Sequence, residues 1–322
     1  MTRINSGQLF ALLLLSSVWQ ILCTPVQPQG IFWAIPVGLI QGLLCIPMLR
    51  AAALHPPESI LRQHPVLCWG MAFYLIVWGA RTMAQAAGAA PPRVTRDIPP
   101  ALAALLLLVT VMHTARRGLH VTARSAVLLL IPAALSVILL CVGAWKRMDC
   151  PTFRADPESG LRSFFSAGEL AAVWLLAGQV RTGRGRAVAG WLLARALLCM
   201  LLTAVCITAG GRLTAQARYP YVMLAALSQP MQGQRADALY LLAAVMLLVL
   251  QLTFLTGLCS RTLRLRHPEW RFVPAAAPAV MLLLAWQVPA GMLDALAAGM
   301  LLPAAVLVPL YTGIFRNKEA VA

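Results

Sequence analysis

A single carboxylate lies within an otherwise apolar run of helix length, FFSAGELAAVWLLAG at residues 164–178. It belongs to Glu169, which follows Ser166, Ala167 and Gly168. Glycine lowers the cost of leaving helical geometry and serine can cap a new helix, so the sequence predicts a helix start here. Such an N-terminus would present free N–H groups and a positive dipole to the anionic group of a ligand.

Glu169 itself has two interpretations. An acidic side chain facing lipid at the centre of a span costs roughly 3 kcal/mol, so we expect it to face the protein interior or water. In the functional interpretation, it holds the ammonium group of a ligand or relays a proton, as intramembrane acids often do. In the structural interpretation, it is a carboxyl kept protonated by desolvation and bonded to a break in the first span.

Three further groups are candidates for a binding site. Ser16 and Ser17 lie in the middle of the first apolar run, where two hydroxyls can satisfy an opened helix backbone. Arg81, in LIVWGARTMAQ, either pairs with Glu169 or a ligand carboxylate, or lies near the outer end of its span and snorkels. Arg195, in WLLARALL, is interpreted as a snorkelling or helix-pairing residue.

Composition places these groups in a lipid bilayer. Of 322 residues, 60% are hydrophobic and 11% are charged, against about a quarter charged in soluble domains. Arginines beside the apolar runs explain the net charge of +16, so nucleic acid is not expected as a partner. The eight cysteines lack the spacing of metal sites. The sequence also lacks a catalytic triad, a phosphate loop and paired carboxylates, so neither enzyme activity nor a cofactor is expected.

Hydropathy predicts an all-α integral membrane protein, a single polytopic domain over residues 1–322 with ten transmembrane helices. A helix needs roughly 20 apolar residues to cross the hydrocarbon core, and ten blocks approach that length. The predicted spans cover about 7–24, 31–54, 65–88, 99–115, 121–145, 163–180, 187–209, 237–260, 272–288 and 293–313.

Basic residues set the expected orientation. With both termini in the cytoplasm, fifteen Arg and Lys residues lie on the inner side and nine on the outer side, as the positive-inside rule requires. Ten spans also divide as five plus five, and an odd number per half makes the second half enter from the opposite side. Many transporters have this inverted repeat, with a midplane substrate site on broken helices, here spans one and six.

Two short segments have open interpretations. Residues 219–230, YPYVMLAALSQP, are too short to span and form either a re-entrant lid over the outer vestibule or a buried loop. In GMLDALAAG, the small residues Gly291, Ala295 and Gly299 are four apart, a spacing that suits close helix packing. Packing within the chain is favoured over packing against a partner subunit.

Four short motifs occur in a recognisable order: INSGQLFALLLL at the N-terminus, the Gly168–Glu169 pair, Tyr219–Pro220, and RADALYLL at 235–242. In this order and spacing the chain resembles the permease-like B subunits of nutrient germinant receptors from endospore-forming bacteria. The resemblance covers nearly the whole chain. Members of that family usually carry glycine in the broken part of span one, where this chain has Ser16 and Ser17.

The resemblance implies the ten-helix inverted repeat of the amino acid–polyamine–organocation transporters. It also implies a place in the inner spore membrane beside an A-type membrane subunit and a C-type lipoprotein, and sensing of a small nutrient, commonly an amino acid. The family's ligand pocket lies among spans one, three, six and eight. Carried onto this chain, that pocket contains Ser16, Ser17, Arg81 and the four residues Ser166, Ala167, Gly168 and Glu169.

Two other functions fit the same sequence. A proton-coupled amino acid permease would use Glu169 as its proton carrier and would move its ligand across the membrane. A scaffold that only holds partner subunits would bind no ligand, and neutralising Glu169 would then have no effect.

Overall fold

The structure is a computed structural model that describes residues 4–23, 30–54, 56–89, 99–145, 168–180, 182–216, 219–227 and 237–307. These ranges are almost entirely α-helical and contain no strand beyond an isolated parallel bridge between Ile4 and Val180. Six of their helices are long and apolar enough to cross a membrane, and three further apolar helices are shorter. The predicted class, an all-α membrane protein, is confirmed.

Twelve α-helices are named here in chain order. They are α1 (Ser6–Cys23), α2 (Gly30–Leu54), α3 (Pro57–Gln63), α4 (Pro65–Ala89), α5 (Pro100–Arg116), α6 (Leu119–Ala144), α7 (Glu169–Ala177), α8 (Arg184–Gln216), α9 (Pro220–Leu227), α10 (Asp237–Arg264), α11 (Val273–Gln287) and α12 (Ala290–Leu302), which continues as a π-helical turn over Pro303–Leu307.

Proline and glycine fix several of these boundaries. Proline is the first residue of α3, α4, α5 and α9, a position whose N–H has no intrahelical partner to lose. Gly118, between α5 and α6, has φ +89°, and Gly183, between α7 and α8, has φ +73°. Only glycine adopts this left-handed region without strain, so each turn depends on its glycine.

The helices divide into central and peripheral ones. In one apolar 18-residue stretch of each helix, 72% of the α1 residues are buried and 61% of those of α4 and of α10, whereas only 22% of those of α6 are buried. Every residue of α7 is buried. Large apolar side chains on α2 and α6, such as Leu39, Leu128 and Ile131, point outward as lipid-facing residues do. Most of the buried polar side chains lie on α1, α4, α7 and α10.

Packing joins the helices into two sets. In one set, α1 and α2 contact both α7 and α8. In the other, α4 and α5 contact both α10 and α11. Helix α6 packs on α1 and α10 and so bridges the sets, while α12 packs on α4 and its π-helical turn on α7.

The structure shows where the two short segments, 219–230 and 291–299, lie. Residues 220–227 form the short helix α9, whose Tyr221 and Leu224 are buried against neighbouring helices, and residues 228–230 lie outside the described part of the chain. The prediction that Gly291, Ala295 and Gly299 pack within the chain is wrong. All three are exposed, and a Cβ added at either glycine would meet nothing within 4 Å.

Candidate functional site

Glu169 is the first residue of α7 and is completely buried. The Ser16 hydroxyl of α1 donates a hydrogen bond of 3.2 Å to its Oε1. Its other oxygen, Oε2, has no hydrogen-bond partner among the described residues. An unsatisfied buried carboxylate oxygen is costly, so this atom marks the place where a ligand's donor would be bound most favourably.

The expected helix break in span one is not present. Helix α1 runs without interruption through Ser16 and Ser17, because both hydroxyls bond to neighbouring helices and no backbone is opened. In the sixth span, α7 does begin at Glu169. Ser166 and Ala167, which were expected to form the break before it, lie outside the described residues. Gly168 lies next to α7 in a turn.

The depth of Glu169 follows from the pairing of α1 and α7. The Ile4–Val180 bridge joins the start of α1 to the end of α7, and the Ser16–Glu169 bond joins the middle of α1 to the start of α7. The two helices are therefore antiparallel. At about 1.5 Å per helical residue, Glu169 lies roughly 17 Å from the bridge. That is about half of a hydrocarbon core of roughly 30 Å.

Helix α4 closes the site from another side. The Tyr74 hydroxyl donates to the Gly168 carbonyl oxygen at 3.2 Å. The ring of Trp78, one turn later, lies so close to Gly168 that a Cβ there would be 2.5 Å from its Cε2. Both aromatic side chains are buried. Sequence reasoning missed them, because nothing local in α4 signals which helix its aromatic face contacts.

Ser17 belongs to a different contact from Ser16. The Trp191 indole N–H of α8 donates to the Ser17 hydroxyl at 2.9 Å, and both side chains are buried. Adjacent residues of a helix point about 100° apart, which is why one serine reaches α7 and the other α8. Ser17 was expected in the ligand site, and in this structure it joins two helices instead.

Arg81 forms an ion pair with Asp294 of α12, with 2.6 Å between Nε and Oδ1. The Arg81 side chain is 13% exposed and that of Asp294 50%. Of the interpretations left open for Arg81, direct pairing with Glu169 is not among the described contacts. Arg81 follows Tyr74 by seven residues, so it lies about 10 Å further along α4 than the carboxyl site.

The other intramembrane arginine is used for helix pairing, as one of its two interpretations predicted. Arg195 of α8 donates from Nη1 to Oε1 of Gln41 on α2 at 2.5 Å, and its side chain is buried. Arg195 and Arg81 are both close enough to attract the Glu169 carboxylate electrostatically. The carboxyl thus lies in a positive surrounding without a direct ion pair to either arginine among the described contacts.

Helix α10 contributes a buried polar face that the sequence analysis did not select. Its buried polar side chains are Gln251, Thr253, Thr256, Ser260 and Thr262. Both amide atoms of Gln251 and the hydroxyl of Thr256 are buried without a hydrogen-bond partner among the described residues. Since α10 packs on α1 and α4, these groups supply further donors and acceptors to the interior of the same bundle.

Within the described ranges, no three His, Cys, Asp or Glu side chains are close enough together to hold a metal ion. No protein-family model matches this chain, and no curated protein matches it significantly. The described residues thus form a buried polar site that contains the carboxyl group of Glu169, the hydroxyl group of Ser16 and the start of α7.

Proposed function

We propose that this chain is the permease-like membrane subunit of a spore nutrient germinant receptor. It binds a small germinant, an amino acid, at the midplane and triggers germination by a change of conformation. The observation that carries the proposal is the buried Glu169 at the start of α7, with one oxygen bonded to Ser16 and the other without a partner. A ligand ammonium group supplies the donors that this oxygen lacks.

Ten spans in a five-plus-five inverted repeat are part of the proposal. The packing supports it, because an inverted repeat exchanges span one with six, two with seven, and so on. Spans one, two, six and seven are α1, α2, α7 and α8, so the contact between α1 and α8 has its counterpart in the contact between α7 and α2. Spans three, four, eight and nine are α4, α5, α10 and α11, so the contact between α4 and α11 has its counterpart in the contact between α10 and α5. Spans five and ten are α6 and α12, so the contact between α10 and α6 corresponds to the contact between α4 and α12. Both packing sets are thus unchanged by the exchange.

Ligand binding would act through a shift in population. A ligand moves a conformational equilibrium only if it binds the two states unequally. In the closed state Glu169 is completely buried, so the ligand must enter through an open state. Closure of the helices around the ammonium and carboxylate groups of the ligand then gives the closed state the higher affinity. The Arg81–Asp294 ion pair, which lies further along α4, must rearrange during this closure.

The proposed partners are an A-type membrane subunit and a C-type lipoprotein in the inner spore membrane, with both termini of this chain in the cytoplasm. The outward-facing small residues Gly291, Ala295 and Gly299 leave room for another helix to approach closely. This surface fits the proposed contact with the A-type subunit.

The second candidate is a proton-coupled amino acid permease. The buried carboxyl favours it as well, since a protonatable group at the midplane is what proton coupling requires. Uptake of labelled amino acids into proteoliposomes, with and without a proton gradient, distinguishes the two. A receptor binds its ligand without gradient-driven accumulation, whereas a permease accumulates it. A chain that neither binds nor accumulates any ligand would be the scaffold.

The proposal is tested by germination of spores that lack this gene, followed as loss of refractility with single L-amino acids, sugars and bile-type compounds. Loss of the response to one compound, restored by complementation, identifies the germinant. Intact responses to every compound, together with amino acid accumulation in proteoliposomes, would favour the permease.

A further inference from the structure

A second feature of the molecule lies where α3 meets the turn between α10 and α11. An open cavity of about 640 Å³ is lined there by Arg62, Arg264, Leu265, Arg266, His267 and Pro268. Three of the six lining residues are arginines and none is acidic. Such a concentration of guanidinium groups around one cavity would be repulsive unless an anion neutralises it.

The acids near this cavity are already paired. Glu58 of α3 forms an ion pair with Arg261 of α10, which fixes α3 against the end of that helix. Glu269 pairs with His267, with 3.2 Å between Oε1 and Nδ1. Within the described part of the chain, the side chains of Arg62 and Arg264 have no carboxylate partner.

The arginines are arranged by local structure. Arg266 reaches back to donate from Nη1 to the Arg62 main-chain oxygen at 3.4 Å, which brings the turn after α10 over the end of α3. Arg62, Arg264 and Arg266 are all exposed. A guanidinium group can donate two parallel hydrogen bonds to two oxygens of one phosphate, a bidentate geometry that makes arginine the preferred residue for binding phosphate groups.

Aromatic residues place this cavity at the level of lipid headgroups. Trp69 and Trp270 meet edge to face at 5.6 Å between ring centroids, and Trp270 stacks on His267 at 4.3 Å. Trp69 is 46% exposed and Phe272 59%. Exposed tryptophans collect at the boundary between hydrocarbon and headgroups, so the arginines beside them lie at the depth of lipid phosphates. This face is also the one that the basic-residue count predicts to be cytoplasmic.

We propose that Arg62, Arg264 and Arg266 form a binding site for the phosphate headgroup of an anionic phospholipid in the inner leaflet. The headgroup phosphate is held by the three guanidiniums, and its acyl chains lie along the apolar surface beside Trp69 and Phe272. Basic pockets on the cytoplasmic side of membrane helices recognise headgroups in this way. The proposal is independent of the ligand bound at Glu169.

The test compares two triple variants of the full-length protein. The first variant removes the three arginine charges that line the cavity and carries Arg62→Gln, Arg264→Gln and Arg266→Gln. The matched control, Arg116→Gln, Arg117→Gln and Arg124→Gln, removes the same charge from exposed arginines near the turn between α5 and α6. Thermal unfolding in detergent without lipid checks that both variants are folded.

Phosphatidylglycerol or phosphatidylcholine with identical acyl chains is then titrated onto each protein, and bound lipid is counted by native mass spectrometry. We expect the unmodified protein and the control to prefer phosphatidylglycerol, and the first variant to lose on the order of tenfold to a hundredfold in affinity for it. Arg264→Gln alone should lose about fivefold. Equal losses in both triple variants, or no preference in the unmodified protein, would overturn the proposal. Complete competition by millimolar inorganic phosphate would assign the cavity to free phosphate instead.

Discussion

Ser16 and Glu169 are 153 residues apart in the sequence and are joined by a hydrogen bond of 3.2 Å in the interior of the bundle. The bond connects the middle of α1 to the first residue of α7, roughly 17 Å along the helices from the Ile4–Val180 bridge. It leaves Oε2 of Glu169 without a partner in the described residues. The proposed ligand site follows from this one contact.

The neighbouring serines of α1 should separate binding from stability. Ser16→Ala removes the hydroxyl that orients Glu169, so we expect weaker ligand binding, by about 1 kcal/mol or roughly fivefold. Ser17→Ala leaves the buried Trp191 N–H unpaired, so we expect a loss of stability of about 1–3 kcal/mol with ligand affinity nearly unchanged. Ligand titration and thermal unfolding of both purified variants provide the check. The same effect on affinity in both would argue against a specific role for Ser16.

Gly168 should tolerate no side chain. A Cβ at this position would lie 2.5 Å from the ring of Trp78, which is completely buried, so the ring or the backbone would have to shift. We expect Gly168→Ala to destabilise the protein by about 1–3 kcal/mol, as overpacking does. Gly70→Ala on α4 is the matched control, because a Cβ there meets nothing within 4 Å. Thermal unfolding in detergent should show a lower midpoint for the first variant alone.

The Arg81–Asp294 pair should respond unequally to loss of its two partners. Asp294→Asn leaves a largely buried guanidinium without its anion, whereas Arg81→Gln leaves a carboxylate that is half exposed to solvent. We therefore expect Asp294→Asn to be the more destabilising variant, by about 1–2 kcal/mol, with a smaller effect of Arg81→Gln. A double-mutant cycle in thermal unfolding measures the coupling. Additive effects would show that the ion pair contributes no stability.

The orientation can be tested with two exposed glutamines. Gln63 ends α3 on the predicted cytoplasmic side, and Gln287 ends α11 on the predicted outer side. In intact cells, and in a Cys150→Ser background that removes the native thiol of the predicted outer loop, a membrane-impermeant maleimide should label Gln287→Cys but not Gln63→Cys, and both should react after lysis. Labelling of Gln63→Cys alone in intact cells would invert the topology.

The helices were largely predictable from the sequence, because apolar blocks bounded by proline, glycine and arginine leave few alternatives in a bilayer. For example, 65–88 was predicted and Pro65–Ala89 is observed. Helix α8 differs, since the prediction 187–209 stopped where hydropathy falls and the helix continues to Gln216. The short helix α3 was not predicted.

The contacts of single polar residues were much less predictable. Glu169 was selected correctly as a buried group, since an acid in an apolar run must be removed from lipid. Two adjacent serines suggested a broken helix, but their hydroxyls bond to Glu169 and Trp191, which requires no break. The partner of Arg81 could not be chosen from the sequence, because Asp294 is 213 residues away and sequence alone does not rank one distant acid over another.

The most direct test of the central claim is germination of spores whose only copy of this gene carries Glu169→Gln. Gln keeps the shape and the Ser16 hydrogen bond but removes the charge that would hold an ammonium group. We predict that the variant is present in the spore membrane at normal amounts and needs at least tenfold more germinant for the same loss of refractility. A normal germinant response from that membrane-inserted variant would contradict the account.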